Sequence, residues 1–159
     1  MLALEQAQQE IQNIMDTVML HQQRRPLFSR IGRVLVSDAK LNFRGQHDPK
    51  GNSWVPLKLR TGRILSDTGR LRNSLSYKTG DDEVEIGTNI LYAKTHQFGA
   101  TIRPKKAKVL AFPGPDGKTI FAKQVTIPAR PFLGVEKRQV NKIHQTIDQW
   151  VQDVANRNV

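Results

Sequence analysis

The residues of this chain that could carry chemistry are four histidines, a few mid-chain serines and one run of acids. His21, His47, His96 and His144 share no spacing such as His-x-x-x-His, which sets two imidazoles on one helical face toward a metal. His47-Asp48 has the makeup of a nuclease fragment. No second histidine or carboxylate lies near it, so a loop pair is expected. His96, between Tyr92 and Phe98, has the chemistry of a proton sensor, but the expectation is a partly buried ring fixed by backbone hydrogen bonds. Ser66, Ser74 and Ser76 lie in no nucleophile-elbow pattern, and no glycine-rich phosphate loop precedes a helix. The acids gather only at Asp81-Asp82-Glu83 with Glu85. That composition suits a cation, yet it falls at a hairpin turn, where acids are ordinarily solvated. Cysteine is absent, which excludes disulfides and thiolate metal sites. No active site, metal or cofactor is expected.

With 159 residues the chain has the length of one domain, enough to bury a core without staples. Its net charge is +11, unevenly spread. One basic stretch runs from Arg30 to Arg72, and a second holds Arg103, Lys105, Lys106, Lys108, Lys118 and Lys123 against Asp116 alone. Such a field attracts polyanions without sequence preference; it serves equally as a solubilising surface. Segregated charge also suits subunits that meet through unlike faces. The first residues carry no basic flank or long apolar run, so neither a signal peptide nor an anchor is expected. Nothing approaches the roughly 18 apolar residues of a membrane span, and no membrane partner is expected.

The elements that must position these residues follow from periodicity. Leu4, Ala7, Ile11, Ile14 and Val18 step by three and four, predicting a helix over 3–21. Pro26 is expected to break it and to open a second helix reaching about Phe43, closed by Gly45. Residues 45–68 are too densely punctuated by glycine and proline for regular structure, and a loop this long is usually functional or ordered by a neighbour. Asp67 or Thr68 can cap a short helical turn through Leu71. Leu75 and Tyr77, then Val84 and Ile86, alternate with polar residues around Thr79-Gly80-Asp81-Asp82, a hairpin pattern. Tyr92–Phe98 reads as a short helix or a bent strand. A second hairpin flanks Pro113-Gly114-Pro115-Asp116-Gly117, and Gln124–Ile127 is expected to continue the sheet until Pro128. Val140, Ile143, Ile147, Trp150 and Val154 predict a last helix over 134–156. The fold class is α+β: N-terminal helices (1–44), a loop and small antiparallel sheet with two hairpins (45–133), and a long C-terminal helix (134–157).

Four motifs punctuate the middle of the chain. They are Asp48-Pro49-x-Gly51-x-x-Trp54-x-Pro56-Leu57, Ile64-Leu65-x-x-Thr68-Gly69-x-Leu71-x-x-Ser74, Tyr92-Ala93-x-x-His96-Gln97-Phe98-Gly99 and Ile127-Pro128-Ala129-Arg130-Pro131-Phe132-Leu133-Gly134. Each joins turn-formers to an apolar anchor, the makeup of a loop pinned onto a core. Trp54 is either such an anchor or a hot spot in a partner's pocket. Arg130, held extended by Pro131, suits a bidentate contact to a carboxylate, within or between subunits.

In this order, over residues 43–134, the motifs resemble the phage virion morphogenesis family, which includes the tail completion proteins of P2-like and Mu-like contractile-tailed phages. The segment between Leu57 and Ile64 is shorter here than in many relatives. The resemblance implies a non-enzymatic virion protein that completes the head-proximal end of the tail and readies it for joining to a filled head. It also implies a ring, sixfold to match the tail, at the neck, assembled in the host cytoplasm. The partners would be further copies of the chain and the tail terminator, tail tube or neck proteins. Candidate interface residues are Trp54, Pro56, Asp81, Asp82, Glu83 and Arg130; Arg103, Lys105, Lys106 and Lys108 are candidates for contact with channel DNA. A nonspecific nucleic-acid-binding protein is the alternative, with aromatics at only 6% and not interleaved with basic residues as a stacking platform requires.

Overall fold

The computed structural model describes residues 21–58 and 61–156. The predicted helix over 3–21 lies almost wholly outside them. Helices α1 (His21–Gly45) and α4 (Lys137–Ala155) are the long elements, and between them come α2 (Arg70–Asn73) and α3 (Ala93–Phe98). Six short strands complete the chain: β1 (Ser76–Thr79), β2 (Val84–Gly87), β3 (Ala100–Ile102), β4 (Leu110–Pro113), β5 (Thr119–Ala122) and β6 (Val125–Ile127). The class is α+β, as expected. No helix among the described residues is long and apolar enough to cross a membrane.

The break expected at Arg25-Pro26 does not occur, because Pro26 lies inside α1. A proline within a helix forfeits one backbone hydrogen bond and crowds the preceding turn, at a cost of about 3 kcal/mol. The apolar stripe beyond it offsets that cost: Ile31, Leu35, Ala39 and Phe43 are all buried at helical spacing. Helix α1 ends at Gly45, as expected. The left-handed residue is Gln46 (φ 59°), immediately after Gly45, and its Nε2 turns back to donate to the Phe43 carbonyl at 3.2 Å.

The described residues fall into two compact units. The first comprises residues 21–37, 76–86 and 137–156. Here the hairpin β1–β2 forms where the alternating pattern placed it, closed by Gly80 N–H donating to the Glu83 carbonyl at 2.9 Å. Ser29 and Tyr77 share a hydroxyl hydrogen bond at 3.1 Å, Arg24 pairs with Asp82 at 2.5 Å, and Arg30 pairs with Asp153 at 2.5 Å. The stripe of α4 is shifted from the one predicted. Gln139 (2% exposed) is buried and Val140 (37%) is not, so the inward positions run through 139, 143, 147, 150 and 154. Only Trp150 among its apolar residues is fully buried.

The second unit holds residues 38–75 and 87–136. Its strands form two ladders and no larger sheet: β4 pairs with β5, and β6 pairs with β3 instead of extending that hairpin. Tyr92–Phe98 resolves as helix α3 over its last six residues. The cap of α2 is Gly69 in the left-handed region, with no side-chain cap bond, while the expected Thr68 hydroxyl accepts from Arg70 N–H at 3.3 Å.

Gly32 provides a test of packing in the first unit. A Cβ at this position would meet the Tyr77 ring at 2.5 Å and Val84 Cγ2 at 3.0 Å. Gly32→Val is therefore expected to lower stability by about 1–3 kcal/mol, read as a fall in the urea midpoint; an unchanged midpoint would contradict this packing.

Candidate functional site

The four motifs of the sequence meet in the second unit, around Phe43 of α1. Phe43 is fully buried, with the Trp54 ring edge-on at 5.5 Å and 82° and the Phe132 ring at 5.3 Å. Such aromatic contacts add about 0.5–1.5 kcal/mol each beyond the area they bury. Because the segments carrying these rings are loops, their backbone polar groups have few ladder partners. Side chains supply them instead.

Trp54 Nε1 donates to the Pro131 carbonyl at 2.7 Å, joining the first motif to the fourth. Arg130 answers in the other direction: Nε donates to the Val55 carbonyl at 2.8 Å and Nη2 to the Pro56 carbonyl at 3.1 Å. Two nitrogens of the Arg130 guanidinium thus bond loop backbone. Gln97 links the third motif to the fourth. Its Oε1 accepts from Phe132 N–H at 3.0 Å and Leu133 N–H at 3.1 Å, while Nε2 donates to the Leu133 carbonyl at 2.7 Å. Arg130 N–H reaches the His96 carbonyl at 2.7 Å. Asn42 Nδ2 donates to the Phe132 carbonyl at 3.1 Å. Gln46 brings in the second motif, accepting from Ile64 N–H at 2.8 Å and donating to the Ile64 carbonyl at 3.1 Å.

Gly99 closes the assembly. Its backbone is left-handed (φ 73°), and a Cβ there would sit 2.9 Å from Ala129 N and 3.0 Å from the Ile127 carbonyl. Only glycine fits both constraints. No charge, aromatic or turn pattern singles out Asn42, Gln46 or Gln97. Amides leave no periodic or charge signature, and only Gln97 lay inside a motif.

The first motif also holds its own turn. Asn52 donates to both carboxyl oxygens of Asp48, N–H at 2.8 Å and Nδ2 at 3.0 Å, and Gly51 N–H donates to the Asp48 carbonyl at 3.0 Å. Burial pushes the Asp48 carboxyl up, but the Asn52 side chain and the backbone N–H groups of Asn52, Lys50 and Gly51 favour the charged form. The net pKa lies below the usual carboxylate value. His47 Nδ1 sits 2.8 Å from the Asp48 carbonyl, the loop pair expected of it. His96 is half-buried, its ring edge-on to Tyr92 at 5.8 Å.

The other sequence candidates are distributed as follows. Trp54 faces inward (4% exposed), whereas its neighbours Val55 and Pro56 are exposed. Asp81, Asp82 and Glu83 form the exposed turn of β1–β2, with Asp82 held by Arg24. Arg103, Lys105, Lys106 and Lys108 are exposed between β3 and β4, and Arg103 Nε donates to Gln124 Oε1 at 3.1 Å. Leu65, Gly69, Tyr92 and His96 line a shallow hollow of about 260 Å³. Among the described residues no group of three or more histidines and carboxylates is placed to hold a metal. Large apolar side chains stand open instead: Leu91 is 97% exposed and Phe98 72%.

Comparison with known proteins identifies the family. Residues 2–152 match the phage virion morphogenesis family. The chain belongs to that family. It is 32% identical over 129 residues to the Mu-like prophage FluMu G protein 2 of Haemophilus influenzae, covering 81% of this chain and 79% of that protein. It is 31% identical over 125 residues to the putative capsid assembly protein G of Escherichia phage Mu, covering 71% of this chain and 70% of that one. No solved structure matches. Family membership gives the chain a structural role in building a phage particle.

Two expectations test this framework. Gln97→Leu leaves two N–H groups and one carbonyl of the fourth motif without their side-chain partner, and at about 1–3 kcal/mol per stranded group it should cost more stability than Trp54→Phe, which strands one carbonyl. Urea denaturation of both variants orders them. The Asp48 turn should show a pH signature. Its pKa is lowered on folding, so its contribution is present above the unfolded carboxylate pKa of about 3.9 and is lost as pH falls through the folded value. The stability difference between wild type and Asp48→Asn should therefore shrink on acidification from about pH 5 to about pH 3; a difference that stays constant would contradict the assignment.

Proposed function

We propose that this family member is a non-enzymatic component that completes the head-proximal end of the phage tail and makes it competent to join a filled head, acting as a ring at the neck. The observation that carries the reading is how the motif side chains are used. Trp54, Gln97 and Arg130 bond backbone carbonyls and N–H groups of neighbouring loops, which fixes a platform. A platform with Leu91, Phe98 and the Val55-Pro56 edge left open is suited to contact neighbours. On this reading Trp54 and Arg130 present the loop, and Pro56 with Val55 makes the contact to an adjoining ring.

A second reading places the protein on the head side, favoured by the name of the phage Mu relative, which refers to capsid assembly. A nonspecific nucleic-acid-binding role draws on the net charge of +11. An amber mutation in the phage separates these. Filled heads accumulating beside unjoined tails, seen by electron microscopy of the lysate, are the expected result. Joined, infectious particles would reject the proposal, and absent or malformed heads would move the role to the capsid. Tight binding of the purified monomer to DNA at physiological ionic conditions would favour the third reading.

A further inference from the structure

The two ladders of the second unit are successive storeys of one hairpin arm. Ala100 pairs with Ile127 and Ile102 with Val125; farther out, Leu110 pairs with Ala122 and Pro113 with Thr119. Both ladders are antiparallel and nested, so the chain runs out through β3 and β4, turns at Gly114–Lys118, and returns through β5 and β6. Between storeys the outgoing side carries seven residues, Arg103–Val109, against Lys123 and Gln124 on the return. That surplus forces Arg103, Lys105, Lys106 and Lys108 out of the ladder as a basic bulge.

The root of the arm is packed, and the rest of its length is exposed or half-exposed. Gly99, just before β3, packs on Ala129 and Ile127 at the root. From residue 100 to residue 127 no side chain is buried. Phe121 is 67% exposed and Ile102 41%. Both ladders are two-stranded, so each leaves edges unpaired among the described residues. A two-stranded ribbon is marginal in water unless a third element covers it. The arm also concentrates charge, with six basic residues against Asp116, which itself lies near Lys118.

We propose that the arm, residues 100–127, is an assembly strap that docks on a second copy of this chain, with its basic bulge against that copy's β1–β2 turn. Charge selects the occupant. The turn carries Asp81 and Glu83, with Glu85 following on β2, and all three are exposed; it is the acidic block of the sequence. The turn's ladder is also two-stranded, so an incoming strand finds an edge to pair with. Phosphate alone would not need Phe121, Ile102 and unpaired edges, whereas a protein surface uses all of them. Short strands, Pro104, Pro113 and the lysines limit indiscriminate edge pairing. A strap reaching from one part of a subunit to a different part of the next is a heterologous contact, the kind that closes rings. This rests on the reading that copies of the chain assemble with one another.

The test uses the full chain, with mass measured by light scattering after size exclusion over a concentration series. Lys105→Glu/Lys106→Glu/Lys108→Glu should weaken self-association at least about tenfold, as should Asp81→Lys/Glu83→Lys/Glu85→Lys, and a chain carrying both sets should recover it. Asp82 is left in place to keep its bond to Arg24. A further variant joins Ile102 to Val125 through Asn-Gly in place of residues 103–124. It removes no buried side chain, so it should melt within a few degrees of wild type and remain monomeric. Self-association that survives both charge sets and the shortened arm overturns the strap while leaving the ring reading intact. A wild-type chain that stays monomeric, when the shortened arm nevertheless abolishes infectivity, overturns both self-assembly and the second-copy occupant. Unchanged assembly with lost DNA retention in the lysine variant overturns the proposal and assigns the bulge to DNA.

Discussion

A core assembled from loops must satisfy its own backbone, and every other feature of the second unit follows from that requirement. Strands and helices pair their N–H and C=O groups automatically, but the segments 46–58 and 128–136 run in neither. Burying Trp54 and Phe132 drags their neighbouring peptide groups out of water, and each group left unpaired costs about 1–3 kcal/mol. The chain answers with long side chains that reach across: Gln46 to Ile64, Gln97 to Phe132 and Leu133, Trp54 to Pro131, Arg130 to Val55 and Pro56. The aromatic cluster supplies the driving force; the polar side chains make it admissible.

What the sequence disclosed and what it hid divide along the same line. Hydrophobic periodicity located α1 and α4, and alternation with turn residues located both hairpins, because those signals are local. The four motifs marked the platform because turn-formers and aromatics coincide there. Pro26 misled because a local steric penalty was outweighed by a stripe of contacts far along the helix. Gln139 took the buried place assigned to Val140 because a helical stripe tolerates a one-residue rotation that spacing alone does not resolve. β6 pairs with β3 rather than extending its nearer neighbour β5, a choice set by the nested register of the arm. Arg130 was recognised as a special residue, but not its partners, since a carbonyl in a loop has no sequence signature.

The family and the structure divide the explanatory work. Membership in the phage virion morphogenesis family establishes the broad role. The geometry explains why its motifs carry glycine, proline, aromatic and amide residues: all are needed to hold irregular backbone in one shape. The same geometry separates a tightly bonded platform from a projecting ribbon that contributes no buried side chain, two parts with different physical demands on their sequences.

That separation reaches into how the molecule meets its surroundings. The bonds of the platform run from neutral amides, an indole and a guanidinium to uncharged peptide groups, and several are inside the protein. Dissolved ions scarcely alter such contacts. The lysines of the ribbon face solvent, where fields between exposed charges fade beyond about 10 Å at 0.1 M ionic strength. Ionic strength therefore acts on the two parts selectively: it tunes what the ribbon attracts while the shape of the platform stays fixed.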